Sequence, residues 1–516
     1  MRKLNMINAL KTWWLLQYLF VAFLTNAQNP DIKRTNHWYF GHFAGLDFSN
    51  GSPVPDTLGQ ISTLERTASI SDTAGNLLFY FGSGYQTNND WCIYNRNHEP
   101  MLDGCGIGIE GVSTPRDCAV FVPKPKDDST YYLFTVDGWE NQFQRGLRWH
   151  EIDLRLDSGL GGVVSKENLL FAPATEQLAV TKHCDGNSYW VVGHERSTAN
   201  FRAYRVTGAG IDSVPVISNA GQDYGITQQS YNLNGGYHLV FSPNGQKALV
   251  QVVWNYRITG LHEQMQLIDF DSQTGRFSNA FDLPVDTTAS HGFFSPDNLK
   301  VYFSSCYRRP CRFYQFDLSS GVDSIIQQSR TIVFSSDVAI ESDGQIGADG
   351  KIYLSGEWDY ITSTPNPHFL SVIESPNEIG AACNVQYGAQ PLGMGRATQG
   401  LPNFVSNFLV GDKPASCQYT FNFYPARDMY EMLVYPNPAD AQITISGNQL
   451  NQDNGTVRVI DMTGRILSET KLMKQEQEMT VDVSQIPNGL YLLELQTKNS
   501  QKAFRINIIH SKTLSK

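Results

Sequence analysis

Three arginines, two carboxylates and two imidazoles in this 516-residue chain have the chemistry to hold or process a polar ligand. Arg66, Arg116 and Arg396 can clamp an anion; Asp117 and Glu110 can pass a proton; His238 and His291 titrate near neutral pH. Apart from Glu110, all of these project onto one mouth of a central channel when the repeat described below is laid out as a ring of sheets. Gathered around one axis, they would hold a polar ligand such as a glycan. In an enzyme, Asp117 or Glu110 would serve as general acid or base, with arginines on an anionic sugar, giving a polysaccharide hydrolase or lyase. The carboxylate separation that would select a mechanism is not set by any spacing in the chain. For any single one of these residues, the plainer reading is a channel side chain already satisfied by its neighbours.

Other chemistry finds little support. Gly106-Ile107-Gly108-Ile109-Glu110-Gly111 fits G-x-G-x-x-G, but Ser113-Thr114-Pro115 follows where a dinucleotide fold needs a helix, so the string reads as a loop. Nucleophile-elbow, zincin, P-loop and EF-hand strings do not occur. No metal or cofactor is expected. Trp139, Trp254 and Trp358 fall in expected loops or blade edges and offer faces for sugars, although tryptophan is more often packed between sheets.

Eight cysteines, an even number and none in a Cys-x-x-Cys pair, favour disulfides over zinc. Cys306 with Cys311 and Cys105 with Cys118 each bracket a short loop, and Cys383 with Cys417 would tie a later linker back. The pairing itself is not deducible from sequence.

The elements that must position these residues come from a repeat. Each unit has an apolar strand, a turn of Gly, Asn or Asp, a second strand rich in Leu, Tyr or Phe, and an alternating third strand. Turn markers at 75, 128, 186, 245, 298 and 350 recur every 52 to 59 residues. Asp-Gly and Asn-Gly supply the positive φ of tight hairpins. Units of this length, stacked through apolar and aromatic faces, predict an all-β chain built as a β-propeller. Six units are visible. His37 to Phe48 and Leu401 to Leu409 would together make a seventh blade closed by both ends of the chain, so seven blades are favoured over six. A β-sandwich array does not need so regular a repeat.

Composition agrees. Charged residues make up 17% and aromatics 12%, which excludes a disordered chain or a coiled coil, both of which need abundant charge. The net charge of −11 and the lack of a long basic block exclude a nucleic-acid partner.

The two ends concern export. Residues 1–27 read as a signal peptide: Arg2, Lys3 and Lys11, then an apolar run from Trp13 to Leu24, then Thr25-Asn26-Ala27 for cleavage before Gln28. The run is too short for a bilayer, which takes about 20 residues, and no later stretch is a transmembrane segment. Cleavage would move the net charge to −14, because three cations and no acids leave. After a propeller over 28–411 and a linker over 412–430, residues 431–516 show six short strand candidates, a small Ig-like β-sandwich. They carry Val434-Tyr435-Pro436-Asn437-Pro438-Ala439, Asp461-Met462-Thr463-Gly464-Arg465 and Ile486-Pro487-Asn488-Gly489-Leu490-Tyr491, with Lys502-Ala503-Phe504-Arg505 near the end.

This module resembles the type A C-terminal sorting domain of the type IX secretion system of Bacteroidetes. The resemblance implies recognition by that machinery, passage across the outer membrane, removal of the tail, and release or attachment to anionic lipopolysaccharide. Trp38-Tyr39-Phe40-Gly41, Gly45-Leu46-Asp47-Phe48, Tyr94 to Met101 and Val122-Pro123-Lys124-Pro125 resemble uncharacterised surface proteins with such tails, which bring no established activity. The expectation is an exported propeller that binds a glycan or a surface protein, with a polysaccharide-active enzyme as the alternative.

Overall fold

A computed structural model of the chain describes residues 30–84, 90–107, 117–138, 141–221, 235–254, 262–285, 291–305, 310–336, 343–356, 367–410, 417, 433–435, 439–446, 454–461, 465–473, 478–497 and 501–510. The expected signal peptide, Glu110 and the Gly106–Gly111 string beyond Ile107 lie outside them. The chain forms two compact units, Met1–Cys417 and Gln418–Lys516.

The first unit is a β-propeller. Each blade is an antiparallel sheet whose strands follow chain order from the axis outward. Blade 1 runs through Thr67–Ser71, Leu77–Ser83, Trp91–Asn95 and Pro100–Cys105, and blade 2 through Ala119–Pro123, Thr130–Thr135, Leu147–Asp153 and Gly162–Phe171. Blade 3 begins at Ala174–Lys182, blade 4 at Gly235–Phe241, blade 5 at Phe293–Phe294 and blade 6 at Gly344–Ile346. A three-stranded sheet, His37–Phe40, Ala44–Asp47 and Val54–Pro55, fills the remaining place between blades 6 and 1.

Aromatic side chains make the joints between blades. Tyr39 of the three-stranded sheet lies 4.3 Å from Tyr80 of blade 1, and Phe79 of blade 1 lies 4.8 Å from Phe121 of blade 2. Phe171 stacks on Tyr204 across blades 2 and 3, and Phe201 meets Phe277 at 4.6 Å across blades 3 and 4. Leu249 and Met265 share a cluster with Phe303 across blades 4 and 5, and Tyr302 donates to Pro376 O at 2.6 Å across blades 5 and 6. Trp38 meets Tyr353 edge-on at 5.7 Å, closing the ring. Each buried ring contributes about 1.5–3 kcal/mol by leaving water, so this architecture consumes the aromatics that the composition supplies.

The hairpins between the first and second strands follow the turn chemistry. Gly75, Gly186, Gly245, Asn298 and Gly350 all take positive φ. The second unit departs from the expected marker: Lys126, not Asp128, is left-handed at φ 66°. There Asp127 accepts from Ser129 N at 3.0 Å and from the Thr130 hydroxyl at 2.8 Å, which shifts the turn.

The two chain-end fragments do meet, with Trp38 6.2 Å from Phe404. Their pairing differs from a simple shared sheet. Pro402–Asn403 runs parallel to Thr67–Ala68 of blade 1, while Gln345 of blade 6 donates to Pro402 O at 2.7 Å. The chain then crosses the axis. Asn403 donates to Leu178 O, and Asn407 accepts from Thr181 and from Lys182 N and donates to Pro243 O. On that face Asp31 pairs with Lys182, and Arg34 and Lys182 both lie over the Phe408 ring at 5.6 Å. One end of the channel is thereby occupied by the chain itself.

Two expected disulfides are corrected. Cys105 bonds Cys92, not Cys118, because Cys92 and Cys105 are direct cross-strand partners in blade 1. Cys118 is instead a buried thiol in the core between blades 1 and 2. Cys417 bonds Cys184, in the hairpin of blade 3, not Cys383, which is buried in a short helix of blade 6 that packs against blade 5. The Cys306–Cys311 expectation rests on Cys306, outside the described residues. His183 lies beside the second bridge, whose sulfurs are spent on each other and do not form a thiolate ligand set.

The second unit is a sandwich of a three-stranded sheet (Leu433–Tyr435, Gln442–Ser446, Glu478–Asp482) and a four-stranded sheet (Ile466–Leu472, Gly455–Ile460, Gly489–Thr497, Gln501–Ile508). Ile443, Ile445, Val457, Val459, Leu493 and Ile506 fill its core.

Candidate functional site

The inner strands all start at one end of the channel, and the residues at those starts meet on the axis. Arg66 precedes the inner strand of blade 1, Asp117 that of blade 2, His291 that of blade 5 and Asp343 that of blade 6, while His238 lies within that of blade 4. Arg66 is 2% exposed, and Asp117, His238 and Asp343 are fully buried. The Arg66 guanidinium pairs with Asp343 at 2.5 Å, and its Nε lies 4.0 Å from Asp117 Oδ1. Asp117 Oδ1 meets His238 Nδ1 at 2.6 Å, and Oδ2 accepts from Leu239 N at 2.7 Å and Leu178 N at 3.4 Å. The other ring nitrogen of His238 faces Gly292 O at 3.0 Å. Asp343 Oδ2 accepts from Leu401 N at 3.0 Å. The His291 ring stands edge-on to His238 at 5.0 Å.

Three of the expected mouth residues, Arg66, Asp117 and His238, thus form one network, with His291 against it. The network is not an open mouth. Both Asp117 oxygens and both His238 nitrogens are engaged, so the dyad has no end turned toward a nucleophile or a substrate proton. Its strands come from blades 1, 2, 4 and 6, with Leu178 of blade 3, so its evident effect is to tie the ring across its axis.

Arg396 stands apart: it is exposed, its Nε donates to His368 Nε2 at 3.2 Å, and its backbone bridges His42. Burial, with the nearby Arg396 charge, lowers the His42 pKa. Arg116, Trp139 and Trp358 lie outside the described residues, as does the side chain of Trp254.

Sequence reasoning missed the other buried acids here. Glu65, Glu176 and Asp343 sit at the same strand-start positions as the nominated residues, and that shared position was the available signal. Burial, with Glu65, Asp117 and Glu176 beside it, pushes the Cys118 thiol well up, so it is protonated and inert. A separate cleft on the propeller rim, about 420 Å³ in volume, was also missed. It lies where Tyr132, Trp149 and Glu151 of blade 2 face the 209–213 hairpin of blade 3.

In the C-terminal unit, Gly489-Leu490-Tyr491 opens a strand, and the Tyr491 hydroxyl donates to Pro487 O at 2.7 Å, pinning the preceding turn. Arg465 donates through its backbone and guanidinium to Asp461 at 3.0 and 3.1 Å across the Asp461–Arg465 turn. Tyr435 ends the first strand; Pro436, Asn437, Pro438 and Gly464 lie outside the described residues.

Comparison with known proteins identifies the tail. Residues 433–509 match the secretion system C-terminal sorting domain. The chain is therefore a β-propeller protein with a type IX sorting tail, exported to the cell surface or the medium. No helix among the described residues is long and apolar enough to cross a membrane.

Solved structures similar to the propeller include the periplasmic gluconolactonase of Pseudomonas aeruginosa (14% identity, TM-score 0.40, covering 71% of this chain and 98% of that one). Others are a functionally unknown protein from Desulfotomaculum acetoxidans (14%, 0.40, 72% and 98%) and hydrazine synthase of Kuenenia stuttgartiensis (9%, 0.37, 70% and 93%). At these values they carry nothing about activity, and the blade order above stands on its own strand pairing. No curated protein matches the chain.

Proposed function

We propose that this chain is a non-catalytic binding module, made with a cleaved signal peptide in a Bacteroidetes-type cell and delivered outside it by its sorting tail to take up a glycan or a surface protein. The working body is the propeller, from Gln28 through Cys417, extended past the expected end at 411 because Cys417 is bonded to blade 3. The tail, from about 431, is the part handled by the secretion machinery, with release or lipopolysaccharide attachment to follow.

The observation that carries the non-catalytic reading is the state of Asp117. A general acid or base needs an oxygen within reach of a substrate proton, and both Asp117 oxygens are held by His238, Leu239 and Leu178. The polysaccharide-enzyme alternative gave that role to Asp117 or Glu110; it loses Asp117, and Glu110 lies outside the described residues. The test is a binding screen of the purified full chain against glycans and cell-surface proteins. Specific retention of one class is the expected result, and a blank screen across both overturns the reading.

A further inference from the structure

The rim cleft differs from the axial network in one decisive respect: among the described residues, its charged side chains make no hydrogen bond or ion pair. Lys124, Glu151 and Asp212 line it with the rings of Tyr132 and Trp149, and the exposed Leu169 forms part of its wall. Among the described residues, none of the three charged side chains makes a hydrogen bond or ion pair. Nor do the Trp149 indole N–H or the Tyr132 hydroxyl. At the axis the corresponding groups are bonded to one another; here five polar side chains line one space and, among the described residues, make no side-chain hydrogen bond or ion pair.

The Tyr132 ring is held edge-on to Trp149 at 5.7 Å, so the aromatic wall is fixed before any ligand arrives. Burial, with Glu151 and Asp127 nearby, pushes the Tyr132 pKa up to about 12, which keeps its hydroxyl a donor at neutral pH. The volume of about 420 Å³ falls within the range of about 300–1,000 Å³ usual for small-ligand sites.

Resting on the binding-module reading above, we infer that this cleft is a saccharide site that takes a neutral sugar residue of an oligosaccharide. The chemistry selects that class. A sugar presents apolar C–H faces, which match Trp149 and Leu169. Its hydroxyls donate and accept at once, which matches an ammonium, two carboxylates, an indole N–H and a phenol together. An acidic sugar is disfavoured, because two of the three charges lining the cleft are negative and the chain as a whole carries −11. The site joins blade 2 to blade 3, so its two walls come from strands on one side and a hairpin on the other.

The experiment presents the full chain to cello-, manno- and xylo-oligosaccharides, to polygalacturonate and heparin, and to cell-surface protein extract. Wild type is compared with Trp149→Ala, Glu151→Gln and Asp212→Asn, and melting temperature is recorded for each. The expected result is binding of a neutral oligosaccharide that weakens at least about tenfold in Trp149→Ala and in one carboxylate variant. The Glu151 and Asp212 side chains bond to nothing else described, so those two variants are expected to fold and keep the test decisive if Trp149→Ala unfolds. Neutral-sugar binding that survives all three substitutions removes the cleft from the account but leaves the binding module standing. Binding confined to the anionic polymers or to protein overturns the ligand class. A chain that binds nothing overturns the binding-module reading and this inference with it.

Discussion

Asp117 illustrates how much a residue's meaning depends on distances. A buried, hydrogen-bonded ion pair contributes little net stability, but removing one partner strands the other and costs about 3–5 kcal/mol. Asp117→Asn replaces an acceptor facing Leu239 N or His238 with a donor, so it is expected to destabilise the propeller by about 3 kcal/mol, read as a lower melting temperature. A variant as stable as wild type would contradict the axial network.

His150 gives a pH prediction. Burial, with Arg148 and other cations adding, lowers its pKa from 6.5 to about 3. Its geometry is that of a neutral ring: Nδ1 accepts from Glu167 N at 3.1 Å, which leaves Nε2–H for the Thr135 hydroxyl at 3.1 Å. The folded-state pKa is depressed, so the unfolded chain takes the proton first as pH falls. Stability is therefore complete above about pH 6.5 and is lost from there toward pH 3. His194, buried beside Phe201 and likewise lowered to about 3, acts in the same window. His150→Gln is expected to shallow this acid limb in melting curves taken from pH 7 to pH 4; an unchanged limb would exclude His150 as a contributor.

At the scale of elements, the ends of the propeller unit are held by close approach and by a covalent bridge. A Cβ at Gly400 would lie 2.2 Å from Arg66 N, so Gly400→Ala forces apart the two backbones that meet at the axis and is expected to cost about 1–3 kcal/mol. Reducing or replacing the Cys184–Cys417 bridge, whose partners are 233 residues apart, is expected to cost about 2–4 kcal/mol. Thermal melts of Cys417→Ser against wild type, both without reductant, measure this, and equal melting temperatures would contradict it.

Much of this scale was legible in the chain. The third strands at Leu147–Asp153, Asn200–Thr207, His262–Asp271 and Cys311–Asp317 fall where alternation puts them, because period-2 patterning and turn residues are local signals. The cysteine pairing was not legible. Cys92 faces Cys105 only once the register of two strands is known, and Cys184 meets Cys417 only once the ring has closed. The rim cleft escaped for a related reason: alternation puts Trp149 on a strand face without saying whether the neighbouring blade covers it.

For the whole molecule, low charge and abundant rings follow from the joints of a closed ring of sheets, and the module at 433–509 determines where that ring is delivered. Deleting 433–509 is expected to leave the chain in the periplasm. Because the two units have separate cores, the propeller should keep its melting temperature. Fractionation of cells expressing the deletion checks the first point, and undiminished surface delivery would contradict the tail's role.

The position of Arg66, Asp117, His238 and His291 at the inner-strand starts was readable, and their convergence on the axis follows from it, whereas Arg396 stands apart. Their closure into one buried network was not, since it depends on distances between blades, with Leu401 N completing Asp343. The central claim is that this exported propeller binds without catalysis. Its most direct test is to incubate the purified full chain with neutral and anionic polysaccharides while measuring retained ligand and new reducing ends in the same samples. Retention with no rise in reducing ends over time is the predicted result; a steady, protein-dependent rise would contradict the account.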